Sequence, residues 1–210
     1  MFAITGASGN TGRVVAEALL AQGEKVLVIG RDLNRLASFV QKGAEAFVAD
    51  VADATKLIRA FDGAQGVYAM LPPNRTAEDV RAYQSTISDA LALALQKASV
   101  PYAVALSSIG ADKPDRTGPV VGLHDLEQKL NGITGLNAVY LRAGYFIENL
   151  LPQAQVIRTF GKVAGPLRAD LQVPMIATRD VGARAAAILH KRNFTGKQAR
   201  EFQGQRDLDY

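Results

Sequence analysis

The chain has 210 residues, 48% of them apolar and 21% charged, with a net charge of +4, as expected of one globular unit. It has no cysteine and only two histidines, His124 and His190, which excludes disulfides, iron–sulfur clusters, thiol nucleophiles and a histidine-rich metal site, so no metal is expected. No segment approaches the roughly 20 apolar residues of a membrane span, and Met1–Gly6 lacks the basic and apolar regions of a secretory signal, so a cytoplasmic location and no membrane partner are expected.

In chain order, strands and helices alternate. Phe2–Thr5 is a short apolar run that ends at a glycine. Arg13–Ala21 reads as a helix with Val14, Val15, Ala18 and Leu19 on one face. Lys25–Ile29 is continuously apolar after its lysine, the mark of a parallel strand covered on both faces. Leu33–Val40 is a short helix with Asp32 as a candidate cap. The spacing predicts strands at Ala46–Ala49, Gly66–Met70, Tyr102–Leu106 and Asn137–Leu141. It predicts helices at Asp53–Ala60, Thr76–Ala98 and Gly118–Leu130. The long helix carries Val80, Tyr83, Ile87, Leu91 and Leu95 on one stripe. Beyond residue 150 the rhythm loosens at Pro152, Pro166 and Pro174, before a helix over Asp180–Lys191 starting at an Asp cap and a strand at Arg200–Gln203. The alternation predicts an α/β fold with a doubly wound parallel sheet.

The charge is uneven: the last 60 residues hold ten basic and five acidic groups. The basic residues are scattered and not interleaved with aromatics, so they read as a solvated surface and nucleic acid is not an expected partner.

Residues 4–12 read Ile-Thr-Gly-Ala-Ser-Gly-Asn-Thr-Gly, directly after a strand and before a helix. In that context the three glycines form a dinucleotide-binding turn. Gly6 serves the tight turn, Gly9 the approach of a pyrophosphate, and Gly12 close packing of helix on sheet. The helix amides then face the phosphates, with Ser8, Asn10 and Thr11 as added donors. At the end of the second strand, Arg31 suits the 2′-phosphate of NADP, whereas an acidic residue there would favour NAD. NADP is therefore preferred, and Arg35, one turn later, can assist. Asp50 is placed to accept from an adenine amino group, with Val51 beside the ring, or else is a loop cap. Met70–Pro73, with Leu71 and Pro72 at its centre, reads as an extended segment over the ligand.

With these residues the chain resembles the short-chain dehydrogenase/reductase superfamily, and within it the atypical NmrA-like branch of NAD(P)-binding proteins. The resemblance rests on Thr5–Gly12, Val28-Ile-Gly-Arg31, Ala49-Asp50, Leu106-Ser-Ser108 and Leu141-Arg-Ala-Gly-Tyr-Phe-Ile-Glu-Asn149. It implies a Rossmann domain over residues 1–150. Over 151–210 it implies a partial, truncated-looking substrate lobe together with the last Rossmann elements. It also implies NADP(H) binding. The activity it implies is hydride transfer from NADPH to a quinone or similar small electrophile, or, in members without turnover, redox sensing through a protein partner.

The branch departs from ordinary short-chain dehydrogenases, which use a Tyr-x-x-x-Lys pair. None of the tyrosines at 68, 83, 102, 140, 145 or 210 has a lysine four residues on. His124 stands near that position and is the candidate proton donor, or an ordinary helix residue. Ser107 and Ser108 are candidates for binding the carboxamide or substrate, or else cap a turn. Tyr145, Phe146 and Asn149 are candidates for a wall beside the nicotinamide, with Tyr145 also a candidate catalytic residue, or for the core. Glu148 reads as the partner of a nearby amide or base, and His190 as structural. A truncated lobe leaves Phe146, Leu150 and Leu151 short of cover, for which a homodimer is the expected remedy.

Overall fold

The structure is a computed structural model that describes residues 1–74, 76–164, 168 and 170–209; Pro166 and Tyr210 lie outside the described residues. Seven parallel strands form the central sheet: β1 (Phe2–Thr5), β2 (Val26–Gly30), β3 (Glu45–Val48), β4 (Gly66–Ala69), β5 (Tyr102–Ser108), β6 (Asn137–Ala143) and β9 (Lys197–Phe202). Their order is β3-β2-β1-β4-β5-β6-β9. The order reverses between β1 and β4, which pair with each other from Phe2 opposite Gly66. In such sheets a ligand crevice lies beyond the carboxyl ends of the strands at the reversal. This is the doubly wound Rossmann-like α/β fold.

Two layers of helices cover the sheet. On one face, α3 (Ala54–Phe61), α4 (Val80–Lys97) and α5 (Val121–Asn131) close a core around Leu57, Phe61, Leu91, Leu95 and Leu126. On the other, α1 (Asn10–Ala21), α2 (Ala37–Gln41) and α7 (Thr178–Lys191) close a core around Phe2, Leu19, Phe39, Tyr68 and Leu189. Helices α1 and α7 touch closely. A Cβ on Gly182 of α7 would stand 2.6 Å from Val14 Cβ and 2.8 Å from the Thr11 carbonyl oxygen.

The helix starts differ from their sequence reading in informative ways. Helix α1 begins at Asn10, three residues before the start at Arg13 that the apolar face suggests, because the glycine turn itself delivers the chain into helical geometry. Helices α3 and α4 are capped by Asp53 and Asp79, each accepting from the amide three residues on. Asp32 accepts from the Asn34 amide at 2.9 Å and so makes a turn just before a 3₁₀ segment at Asn34–Leu36. Helix α7 does not start at an Asp180 cap. It begins at Thr178 and has no local side-chain cap; Glu148, thirty residues earlier, accepts from the Thr178 amide and hydroxyl at 2.6–3.0 Å. Glu148 is thus the amide partner that its position suggested.

Beyond Ala143 the chain adds a small second sheet. Strands β7 (Tyr145–Phe146) and β8 (Val173–Ile176) pair in parallel, and β10 (Asp207–Leu208) pairs antiparallel to β8. Helix α6 (Gln153–Phe160) precedes β8 and buries none of its residues. The last 60 residues therefore contribute α7 and β9 to the main layers as well as the smaller sheet.

Candidate active site

The site starts at the glycine turn. Gly6 sits at φ +63°, a backbone conformation that a side chain penalises, and a Cβ there would collide with Met70 Sδ at 2.7 Å. Gly12 spares the turn rather than the sheet: a Cβ would lie 2.3 Å from the Gly6 carbonyl oxygen. Gly9 is different. A Cβ there meets only the Gly6 carbonyl within 4 Å, at 3.2 Å, and the residue is exposed, so its open side faces whatever the turn binds. Gly9 is also the residue before α1. No side chain caps that helix, and no acidic residue stands in its first turn. Amides and helix dipole are left for an anion. The cradle therefore fits a pyrophosphate.

The added donors sort differently. Asn10 is exposed at the helix start and Ser8 is half-buried beside it. Thr11 is 4% exposed and its Oγ1 accepts from the Tyr68 hydroxyl at 2.9 Å. Its side chain therefore points into the core and supplies no phosphate donor. The same layer continues through Thr5, whose Oγ1 donates to the Tyr68 carbonyl at 2.9 Å and accepts from the Met70 amide at 3.2 Å. Tyr68 is fully buried, and burial pushes its phenol far above the usual range.

Arg31 and Arg35 are both exposed beside the turn; an Arg35 Nη donates to the Ser8 carbonyl at 3.4 Å. Asp50 is exposed at the end of β3 and accepts from the Ala52 amide at 2.9 Å, with Val51 half-buried next to it. Tyr83 on α4 links this end to the rest of the site. Burial raises its phenol, the Asp50 carboxylate raises it further and the Arg31 guanidinium opposes.

Beyond Tyr83 a cavity of about 540 Å³ opens past the ends of β4, β5 and β6. Leu71, Pro72, Ser107, Ser108, Tyr145, Phe146 and Asn149, all singled out in the sequence, contribute to its wall. So does Met70 of the same extended segment, and so do residues that the sequence did not single out for the site: Val80, Tyr83, Gln84, Pro119 and Leu123. Most are apolar, and none of the described lining residues carries a charge.

Val80 and Tyr83 belong to the apolar stripe of α4 whose lower members, Ile87, Leu91 and Leu95, are core. The upper turn overhangs the sheet edge, so the same periodicity serves core and cavity, and period alone does not separate them.

His124 is not among the cavity residues. On α5, Leu123 and Glu127, four residues apart, share the face toward the cavity, and His124 is turned about 100° away. Its Nδ1 donates to the Ala111 carbonyl at 2.9 Å. Ser107 lines the cavity, and its hydroxyl donates to Glu127 Oε1 at 2.6 Å. Ser108 donates to the neighbouring Ile109 carbonyl at 3.1 Å. His190, on α7, pairs with Glu24 at 2.8 Å, far from the cavity. No helix among the described residues is long and apolar enough to cross a membrane.

Comparison with known proteins agrees with this geometry. A family model described as NAD(P)H-binding matches residues 6–192. The NAD(P)H azoreductase of Xenophilus azovorans is 26% identical over 193 residues, covering 91% of this chain and 64% of that protein. The (4-alkanoyl-5-oxo-2,5-dihydrofuran-3-yl)methyl phosphate reductase of Streptomyces griseus is 28% identical over 202 residues, covering 96% and 66%. The chain thus spans slightly less than two thirds of the length of these curated relatives. Among solved structures, the NADPH-dependent quinone oxidoreductase of Escherichia coli, in complex with NADPH, superposes with a TM-score of 0.83 at 23% identity, covering 100% of this chain and 71% of that one.

Proposed function

Because the chain belongs to the NAD(P)H-binding family, we propose that it is an NADPH-dependent oxidoreductase acting on a small uncharged electrophile, a quinone above all. The observation that carries the proposal is the continuity of the site. An open glycine cradle after β1, arginines after β2 and an apolar cavity past β4, β5 and β6 lie along the carboxyl edge of one sheet.

In this reading Gly6, Gly9 and Gly12 shape the pyrophosphate turn, with Ser8, Asn10 and the Thr11 amide beside it. Arg31, assisted by Arg35, holds the 2′-phosphate, and Asp50 and Val51 flank the adenine. Leu71, Pro72, Ser107, Ser108, Tyr145 and Phe146 enclose the nicotinamide half. Bound dihydronicotinamide supplies the hydride, and the protein supplies position and a water-poor wall. The lining formed by the described residues is uncharged and favours neutral acceptors over anionic ones, because an unpaired charge is costly to desolvate. The Tyr83 hydroxyl is a polar group on the wall able to orient a carbonyl. Burial and Asp50 keep Tyr83 protonated as a donor well above neutral pH, and the reduced product takes its protons from water.

The test is the loss of NADPH absorbance with 1,4-naphthoquinone and with a sulfonated quinone of similar potential. We expect turnover with the neutral quinone, little with the sulfonated one, and none for Gly9→Val, whose side chain fills the cradle. Tight NADPH binding without oxidation by any acceptor overturns the enzymatic reading in favour of a cofactor-sensing protein.

A further inference from the structure

A buried ion pair stands behind the cavity and takes no part in the reading above. Glu127 on α5 is 3% exposed. Arg142, on β6, donates from Nε to Oε1 at 3.1 Å and from an Nη to Oε2 at 2.7 Å. The same Oε1 accepts from Ser107 Oγ at 2.6 Å. Ser107 lies at the end of β5, itself 3% exposed, and belongs to the cavity wall. A pair of this kind is not demanded by folding, since well-packed apolar residues commonly serve a core as well or better.

The hydrogens of this cluster can be counted. A guanidinium only donates, so both carboxylate oxygens act as acceptors, and the hydrogen in the serine–glutamate contact belongs to Ser107. A serine hydroxyl has one hydrogen and two lone pairs. With its hydrogen committed to Glu127, Ser107 can offer the cavity only an acceptor. A quinone carbonyl finds no donor there. The nicotinamide nucleoside half of the cofactor does carry donors, the carboxamide N–H and the ribose O–H.

We propose that Ser107 accepts a hydrogen bond from a donor on the nicotinamide nucleoside half of NADP(H), and that Glu127 and Arg142 are positioning residues that impose this polarity. The proposal rests on the site being the NADPH site. It gives the Glu127–Arg142 pair a task that neither residue performs by touching the ligand, and it assigns Ser107 to the cofactor and not to the substrate.

Calorimetric titration of the whole chain tests it with three probes. These are NADP⁺, its 3-acetylpyridine analogue, which has no carboxamide donor, and adenosine 2′,5′-bisphosphate, which lacks the nicotinamide half. Ser107→Ala, a small change that spares the fold, should weaken NADP⁺ about five- to tenfold, the loss of one hydrogen bond. It should leave the bisphosphate unchanged. Glu127→Gln should weaken NADP⁺ similarly, and the double variant should lose no more than either single one, whereas a merely structural Glu127 would add its own loss. If the Ser107→Ala penalty disappears with the acetylpyridine analogue, the donor is the carboxamide; if it persists, the donor is the ribose, and either result supports the proposal. Unchanged NADP⁺ affinity in Ser107→Ala overturns the proposal while leaving the cofactor site intact. Failure of the wild-type chain to bind both NADP⁺ and the bisphosphate overturns the site reading as well.

Discussion

Arg31 is exposed at the end of β2, next to Arg35 and the glycine turn. A guanidinium in that place forks onto a phosphate. An exposed charge-assisted contact at about 1.5 kcal/mol corresponds to roughly tenfold in affinity. Arg31→Ala should therefore weaken NADPH about tenfold and leave NADH nearly unchanged, as read by titration; an equal loss for both cofactors would count against the 2′-phosphate assignment. His124 shows the opposite lesson. Its type and neighbourhood suggest a proton donor, yet one position along a helix is a rotation of about 100°. That rotation takes its ring to the Ala111 carbonyl and brings Leu123 to the cavity. His124→Ala should leave turnover and NADPH affinity within about twofold of wild type, since the lost bond is a single, part-buried one. A large fall in turnover with normal affinity would return the donor role to His124. Residue identity alone was enough to find the glycine turn, because three glycines at fixed spacing after a strand have one main use. It was not enough for Thr11 or Ser107, whose hydroxyls are claimed by Tyr68 and Glu127 from distant parts of the chain.

Two elements carry the site mechanically, and both depend on contacts across the sequence. Helix α1 presents its open amides only while α7 lies against it, and Gly182 allows that approach. A Cβ there enters the space of Val14 and of the Thr11 carbonyl. Gly182→Ala should lower stability by about 1–3 kcal/mol through overpacking, seen as a lower urea midpoint, with weaker cofactor binding because the push falls on the first turn of α1. Helix α7 is in turn capped by Glu148. Burial raises this carboxyl, but the hydroxyl and amide of Thr178 outweigh it and hold Glu148 below the usual carboxylate range. A carboxyl depressed on folding contributes its stability above its unfolded pKa and loses it as pH falls through the folded one. Wild type should therefore lose an increment of stability on acidification through and below the ordinary glutamate range. Glu148→Gln should lack that step and be less stable at neutral pH by about 0.5–2 kcal/mol. Identical pH profiles for the two proteins would refute the cap. The main strands and helices were legible because apolar runs and 3.6-residue stripes are local signals. The two-residue strands β7 and β10 were not, since nothing but their pairing with β8 defines them.

At the scale of the molecule, the sheet order puts the turn after β1, the arginine after β2 and the cavity past β4, β5 and β6 on one edge. The parts of a dinucleotide site thus adjoin although they come from residues 6 to 149 of the chain. The alternation of elements implied that arrangement, and the family match over residues 6–192 agrees with it. The cavity wall was only half legible, because Val80 and Tyr83 share one apolar stripe with the core residues of α4, and only the overhang of α4 past the sheet separates them. In the proposed function this edge holds NADPH with one face of its dihydronicotinamide turned into the cavity. A protein wall on one side allows only one of the two C4 hydrogens to leave. The direct measurement is turnover with 1,4-naphthoquinone using NADPH deuterated at C4 on one face or on the other. Oxidation should run faster than the protein-free rate and be slowed by deuterium on one face only. Oxidation no faster than without protein, or equal slowing by deuterium on either face, would contradict it.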